Sequence, residues 1–221
     1  MEHPEGWDFP GSFLASGNPD TLRHVTRGFI FDLDGTLADT MPAHFVAWTE
    51  TAKRYGLHFP EDEFYALGGT PTVRIAAMLA ERAGIDVDPV RIAAEKEQAF
   101  IDGLATPGII QPILPVIAIA RSHLSEGGVL AIASGGTRPL VERTLALLEI
   151  GEWFRVVLSS EDTKRHKPEP DVFLEAARRL GAAPDACTVY EDTDIGLEAA
   201  RRANMQAVDV RPLYERRSLT R

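Results

Sequence analysis

The chain has one cysteine, Cys187, which excludes an internal disulfide and a thiolate-rich metal site. That scarcity suits a reducing, cytoplasmic setting. No signal peptide is expected, because Met1–Glu5 offers neither a basic start nor an apolar stretch after it. Long apolar runs are missing too. The most apolar segment, Ile109–Ala120, is interrupted by Pro112 and Pro115 and is too short to span a membrane. Positive charge is in deficit, with 23 Lys and Arg against 33 Asp and Glu and a net charge of −10. This argues against a general binder of nucleic acid or acidic membranes. Internal repeats and low-complexity runs are absent, and no obligate protein partner is evident. What remains, 44% hydrophobic and 25% charged residues over 221 positions, is the composition of a globular protein. A chain of this length buries roughly 70% of its unfolded surface and needs no staple.

Residues 1–27, rich in Pro, Gly, Asp and His, read as an amino-terminal arm. Gly28–Phe31 is a short apolar run ending in Asp32, Asp34 and Gly35, the pattern of a buried strand. Residues 41–105 change texture. Phe45, Trp48, Ala52 and Tyr55 recur at helical spacing before Gly56, Val73, Ala76 and Leu79 before Gly84, and Asp88-Pro89 opens a third helix. The expectation is an all-helical cap inserted into a core formed by 28–40 and 106–221.

From residue 112 the pattern alternates. Helices are expected over 112–125, 137–148, 170–180 and 195–203. Strands are expected over 128–134, 156–158, 188–190 and 207–210. Such alternation predicts an α/β fold, a Rossmann-like parallel sheet with helices on both faces. The basic end, 216–221, reads as a solvated tail.

Ligands of open parallel sheets bind at the carboxyl ends of the strands. Here those ends carry Asp32 and Asp34, then Ser134 with Gly135 and Gly136, then Lys167, then Glu191 and Asp192. Packed carboxylates repel, so an all-oxygen cluster calls for a hard cation, and Mg²⁺ suits it. Mg²⁺ also takes phosphate oxygens. The Ser134 hydroxyl, the amides of Gly135 and Gly136 and the Lys167 ammonium would bind the rest of a phosphoryl group. Asp32, last on its strand, is the candidate nucleophile. Asp34, two residues on, is the candidate general acid and base. Other motifs fail. An EF-hand needs Gly and Glu where Leu37 and Ala43 stand, a nucleophile elbow needs Gly at Ile132, and there is no Walker A loop.

These motifs, in this order, resemble the haloacid dehalogenase superfamily. Phe31–Thr40 is similar to its first motif, Ser134 to the second, Lys167 in His166–Asp171 to the third, and Glu191–Gly196 to the fourth. The likeness runs from about residue 27 to about 212. Within the superfamily the chain resembles the β-phosphoglucomutase-like branch, most nearly the fructose-1-phosphatase type of sugar phosphatase, in Gly69–Ala76 and Ala207–Arg211. The resemblance implies Mg²⁺ held by Asp32, the Asp34 carbonyl, Glu191 and Asp192. It also implies that His44 and Lys96 couple Asp34 to cap closure. In the cap loop, Gly69, Thr72 and Arg74 become candidate substrate residues. Thr72 stands where the mutase pattern has a basic residue for a second phosphate, and Gly136 replaces its second serine, which favours water as acceptor.

The expected function is therefore a Mg²⁺-dependent phosphatase of a small phosphorylated metabolite, a sugar, acting through an aspartyl-phosphate. A sugar phosphomutase and, outside catalysis, a Mg²⁺-dependent phospho-switch or inactive binding module are the alternatives. His24, His58 and His123 join no constellation and read as surface or loop residues, as does His166, although its adjacency to Lys167 places it near the cleft mouth.

Overall fold

The computed structural model describes residues 27–106 and 108–215. The expected arm, apart from Arg27, lies outside them, as do His24 and the basic tail. In chain order the regular elements are β1 (Gly28–Phe31), β2 (Ala38–Asp39), α1 (Met41–Arg54), α2 (Glu61–Ala66), α3 (Thr72–Ala83), α4 (Pro89–Gly103), β3 (Gln111–Pro112), α5 (Leu114–Ser125), β4 (Val129–Ala133), α6 (Arg138–Leu148), β5 (Phe154–Leu158), α7 (Asp171–Leu180), β6 (Cys187–Glu191), α8 (Asp194–Arg202) and β7 (Gln206–Asp209). None of these helices is long and apolar enough to cross a membrane.

Five strands form one parallel sheet in the order β5-β4-β1-β6-β7. Strand side chains alternate between its faces, so one short apolar run supplies two cores. Ile30, Ala131, Leu158 and Val189 pack against Phe173 and Ala176 of α7 and Ala199 and Ala200 of α8. Phe31, Leu130, Ile132 and Tyr190 pack on the other face against Val116 and Ile117 of α5 and Val141 and Leu145 of α6. The first strand thus sits at the centre of the sheet and its last residue, Phe31, is fully buried.

Helices α1–α4 carry a separate apolar cluster built on Phe45, Trp48, Phe64, Leu79 and Ile92. A smaller cluster, Ala47, Phe100 and Leu104 with Leu140 of α6, joins this layer to the core. The sequence periodicity misses α2, whose six residues include Glu61, Asp62 and Glu63 and bury only Phe64. The helix expected from Pro112 begins instead at Leu114. Pro112 pairs with Ala38 and Gln111 with Asp39, so a two-stranded ribbon spans both connections between the layers. Proline suits this position, since its missing N–H costs nothing on an exposed edge.

Candidate functional site

Asp32 follows β1 directly, and its amide donates to the Tyr190 carbonyl on β6 across 3.0 Å. That bond brings the end of β1 beside the end of β6, where Glu191 and Asp192 stand. The carboxylates of Asp32, Glu191 and Asp192 are all buried, with one oxygen from each lying within 4.8 Å of the others. The Lys167 Nζ donates to Asp32 Oδ1 at 2.6 Å and lies 3.5 Å from Glu191 Oε1. The peptide bond that follows it, Lys167–Pro168, is cis.

One ammonium faces three carboxylates, and the local charge shows it. Burial pushes the Asp32 carboxyl well above its usual range, Lys167 opposes this, and Glu191 and Asp192 add to it. Burial would depress the Lys167 ammonium, but Asp32 and Glu191 outweigh it and raise its affinity for the proton. The Lys167 shift reports an excess of negative charge around it. Three buried oxygen donors with unmatched charge are the donor set of a hard divalent cation, so the residues fit Mg²⁺.

Two glycines permit this crowding. Gly35 adopts φ +84, and a Cβ there would lie 2.3 Å from Asp192 Oδ2. A Cβ at Gly196 would lie 1.9 Å from Glu191 Oε1. Thr193 caps α8 by accepting from the Gly196 amide and donates its hydroxyl to Glu191 Oε1 at 2.7 Å. Beyond β7, the Tyr214 hydroxyl donates to the Gly35 carbonyl, and Arg211 bridges Asp209 and Asp194.

Asp34 lies one turn from Asp32 under a different set of partners. Thr40 donates to its Oδ1 at 2.7 Å, and His44 Nε2 lies 3.7 Å from the same oxygen. Burial would raise the Asp34 carboxyl, but His44, Thr40 and Lys96 together hold it below its ordinary value. Lys96 is 4% exposed and meets His44 Nδ1 at 2.8 Å. The His44 ring stacks on Phe100 at 3.8 Å. Burial, with the Lys96 charge adding to it, holds the His44 imidazole down at about 4, while burial lowers the Lys96 ammonium to about 8.

A cavity of about 330 Å³ lies between the strand ends and the helical layer. Asp32, Asp34 and Lys167 form its floor with Gly135 and Gly136, while His44, Lys96, Gly69 and Thr72 line the helical side. Ser134 lies beneath, 2% exposed, its Oγ accepting from the Gly136 amide at 2.9 Å. Gly69 has φ +77, and a Cβ there would come within 2.9 Å of Ile195 on α8. Arg74 is not brought in. It is exposed and does not line the cavity, because two residues along a helix turn the side chain about 200° away from Thr72.

His166 lines the cavity. His123, expected at the surface, stacks on Phe29 at 3.6 Å and meets the Tyr190 hydroxyl at 2.6 Å. Sequence reasoning also passed over Thr40, Thr193 and Phe100. A threonine before a helix start was the available signal for the first two.

The family model of haloacid dehalogenase-like hydrolases matches residues 29–210. The fructose-1-phosphate phosphatase YqaB of Escherichia coli is 40% identical over 186 residues, covering 84% of this chain and 97% of that protein. Hexitol phosphatase A of the same organism is 35% identical, covering 83% and 82%. Among solved structures, a β-phosphoglucomutase from Clostridium difficile superposes with a TM-score of 0.73 at 26% identity, over 83% of this chain and 84% of the other.

Proposed function

Since the chain belongs to the haloacid dehalogenase-like hydrolases, we propose that it is a phosphatase of a small phosphorylated sugar, working through an aspartyl-phosphate on Asp32. The observation that carries this reading is the meeting of Asp32, Asp34 and Lys167 on the floor of one cavity roofed by helices. The phosphatase names of its relatives in Escherichia coli support the substrate class.

Mg²⁺ would be held by Asp32, Glu191, Asp192 and the Asp34 main-chain carbonyl, and when bound it offsets the negative charge of carboxylates and phosphoryl oxygens. Lys167 orients the phosphoryl group from one side, with Ser134 and the Gly135 amide on the other. An Asp32 carboxylate oxygen attacks phosphorus, and the bond to the sugar oxygen breaks. Asp34 gives its proton to that departing oxygen. It then takes a proton from the water that attacks the aspartyl-phosphate, releasing inorganic phosphate and restoring Asp32.

His44 and Thr40 hold Asp34 ionised before substrate enters, the form needed for the second step. A phosphoryl dianion arriving beside it raises its proton affinity, which supplies the first. His44 and Lys96 tie this switch to the helical layer, so the acid is set only when the roof is seated. Gly69 and Thr72 face the sugar.

Phosphorus NMR with Mg²⁺ and fructose 1-phosphate tests the proposal. Inorganic phosphate should grow in, and Asp32→Asn should cut its rate by at least about 10⁴-fold. Conversion of β-glucose 1-phosphate to the 6-phosphate without free phosphate would overturn it in favour of a mutase.

A further inference from the structure

Glu97 follows Lys96 on α4 and lines the same cavity from its helical wall. It is half-buried, and no hydrogen bond or ion pair to a described residue holds it. Its charge acts on the Lys96 ammonium beside it, but a partly buried carboxylate that accepts no hydrogen bond is still a site for hydrogen-bond donors. Its neighbours sharpen the choice. The two ammonium groups in the cavity wall are committed, Lys96 to His44 by a hydrogen bond and to Glu97 and Asp34 by charge, Lys167 to Asp32 and Glu191. No arginine lines the wall among the described residues. Thr70, Thr72, Thr137 and Ser160 add hydroxyls there, which are neutral.

We infer that Glu97 sets the specificity of the cavity, its carboxylate accepting the hydroxyl hydrogens of an uncharged polyol and turning away substrates whose far end is anionic. The inference rests on the phosphatase reading above and narrows it to monophosphates. A second phosphate or a carboxylate placed against Glu97 meets like charge, and the nearest cation, Lys96, is buried and held by His44. Each sugar hydroxyl finds an acceptor, and a carboxylate serves more than one of them at once.

The test compares kcat/KM for fructose 1-phosphate and fructose 1,6-bisphosphate in the wild-type protein and in Glu97→Gln. Both substrates present the same ester to Asp32, so any change passed through Lys96 and His44 to Asp34 cancels in their ratio. The wild type should favour the monophosphate, and Glu97→Gln should narrow that preference by roughly tenfold, as the bisphosphate gains and the monophosphate loses. A ratio equal to that of the wild type, with both substrates slowed alike, would overturn the assignment while leaving the phosphatase intact. A wild-type protein that releases phosphate from neither sugar overturns the phosphatase reading, and this one with it. Thermal unfolding of Glu97→Gln, expected near that of the wild type, separates specificity from misfolding.

Discussion

Lys96 donates to Nδ1 of His44 across 2.8 Å, leaving the imidazole Nε2 as the hydrogen-bearing nitrogen that faces Asp34. Two buried basic groups thus stand in line behind one carboxylate, and only one of them can hold a charge at neutral pH.

That line predicts an acid-sensitive fold. His44 titrates at about 4 in the folded chain against a usual 6.5. Between those values the unfolded chain takes up a proton that the folded one refuses. The His44 contribution to stability is full above 6.5 and is lost as pH drops through 4, a loss on the order of 3 kcal/mol. His44→Phe should flatten this limb in urea titrations at pH 7 and pH 4.5.

Lys96 predicts the opposite end of the scale. Its ammonium titrates at about 8 rather than 10.5, so the unfolded chain binds the extra proton between those values. Stability therefore rises with pH across that window. Lys96→Met should be the more stable protein at pH 7, by up to about 3 kcal/mol, with the alkaline rise gone. Its turnover should fall roughly tenfold or more, because Asp34 loses the charge behind its partner. Scanning calorimetry beside a phosphate-release assay checks both.

Gly196→Ala should damage the acidic cluster from behind. The new methyl would lie 1.9 Å from Glu191 Oε1, so Glu191 must rotate and release the Thr193 hydroxyl. A loss of about 1–3 kcal/mol in stability is expected, with Mg²⁺ affinity down about 10- to 100-fold. Titration calorimetry with Mg²⁺ reads the second effect without any substrate.

Mg²⁺ itself should stabilise the fold. At a hundred times its dissociation constant the gain is about 2.7 kcal/mol, or roughly 5–10 °C in Tm for a chain of this size. Chelation should reverse it, and Asp192→Asn should shrink the shift. A Tm indifferent to Mg²⁺ would count against a cation at this cluster.

The strands and their chemistry were legible because each buried strand is an unbroken apolar run stopping at a polar residue. Phe31 gives way to Asp32, and Tyr190 is followed by Glu191. The order of the strands was not legible, since pairing partners sit up to 159 positions apart, as Gly28 and Cys187 do. The second helix escaped because six residues hold too few apolar positions to set a period. Lys96 was legible only through the family resemblance, and Glu97 was not legible at all. On a helix with polar residues around them, only the neighbours that fold over it decide which charge is buried.

The central place of β1 also governs assembly during synthesis. Gly28–Phe31 leaves the ribosome first among the described strands, yet both of its edges wait for later chain. One waits for Val129–Ala133 and the other for Cys187–Glu191. Until then an apolar ribbon with open edges must be kept from pairing with other nascent chains. Any truncation before residue 187 leaves that edge bare, so shortened products of this gene should aggregate rather than persist as inactive folded fragments.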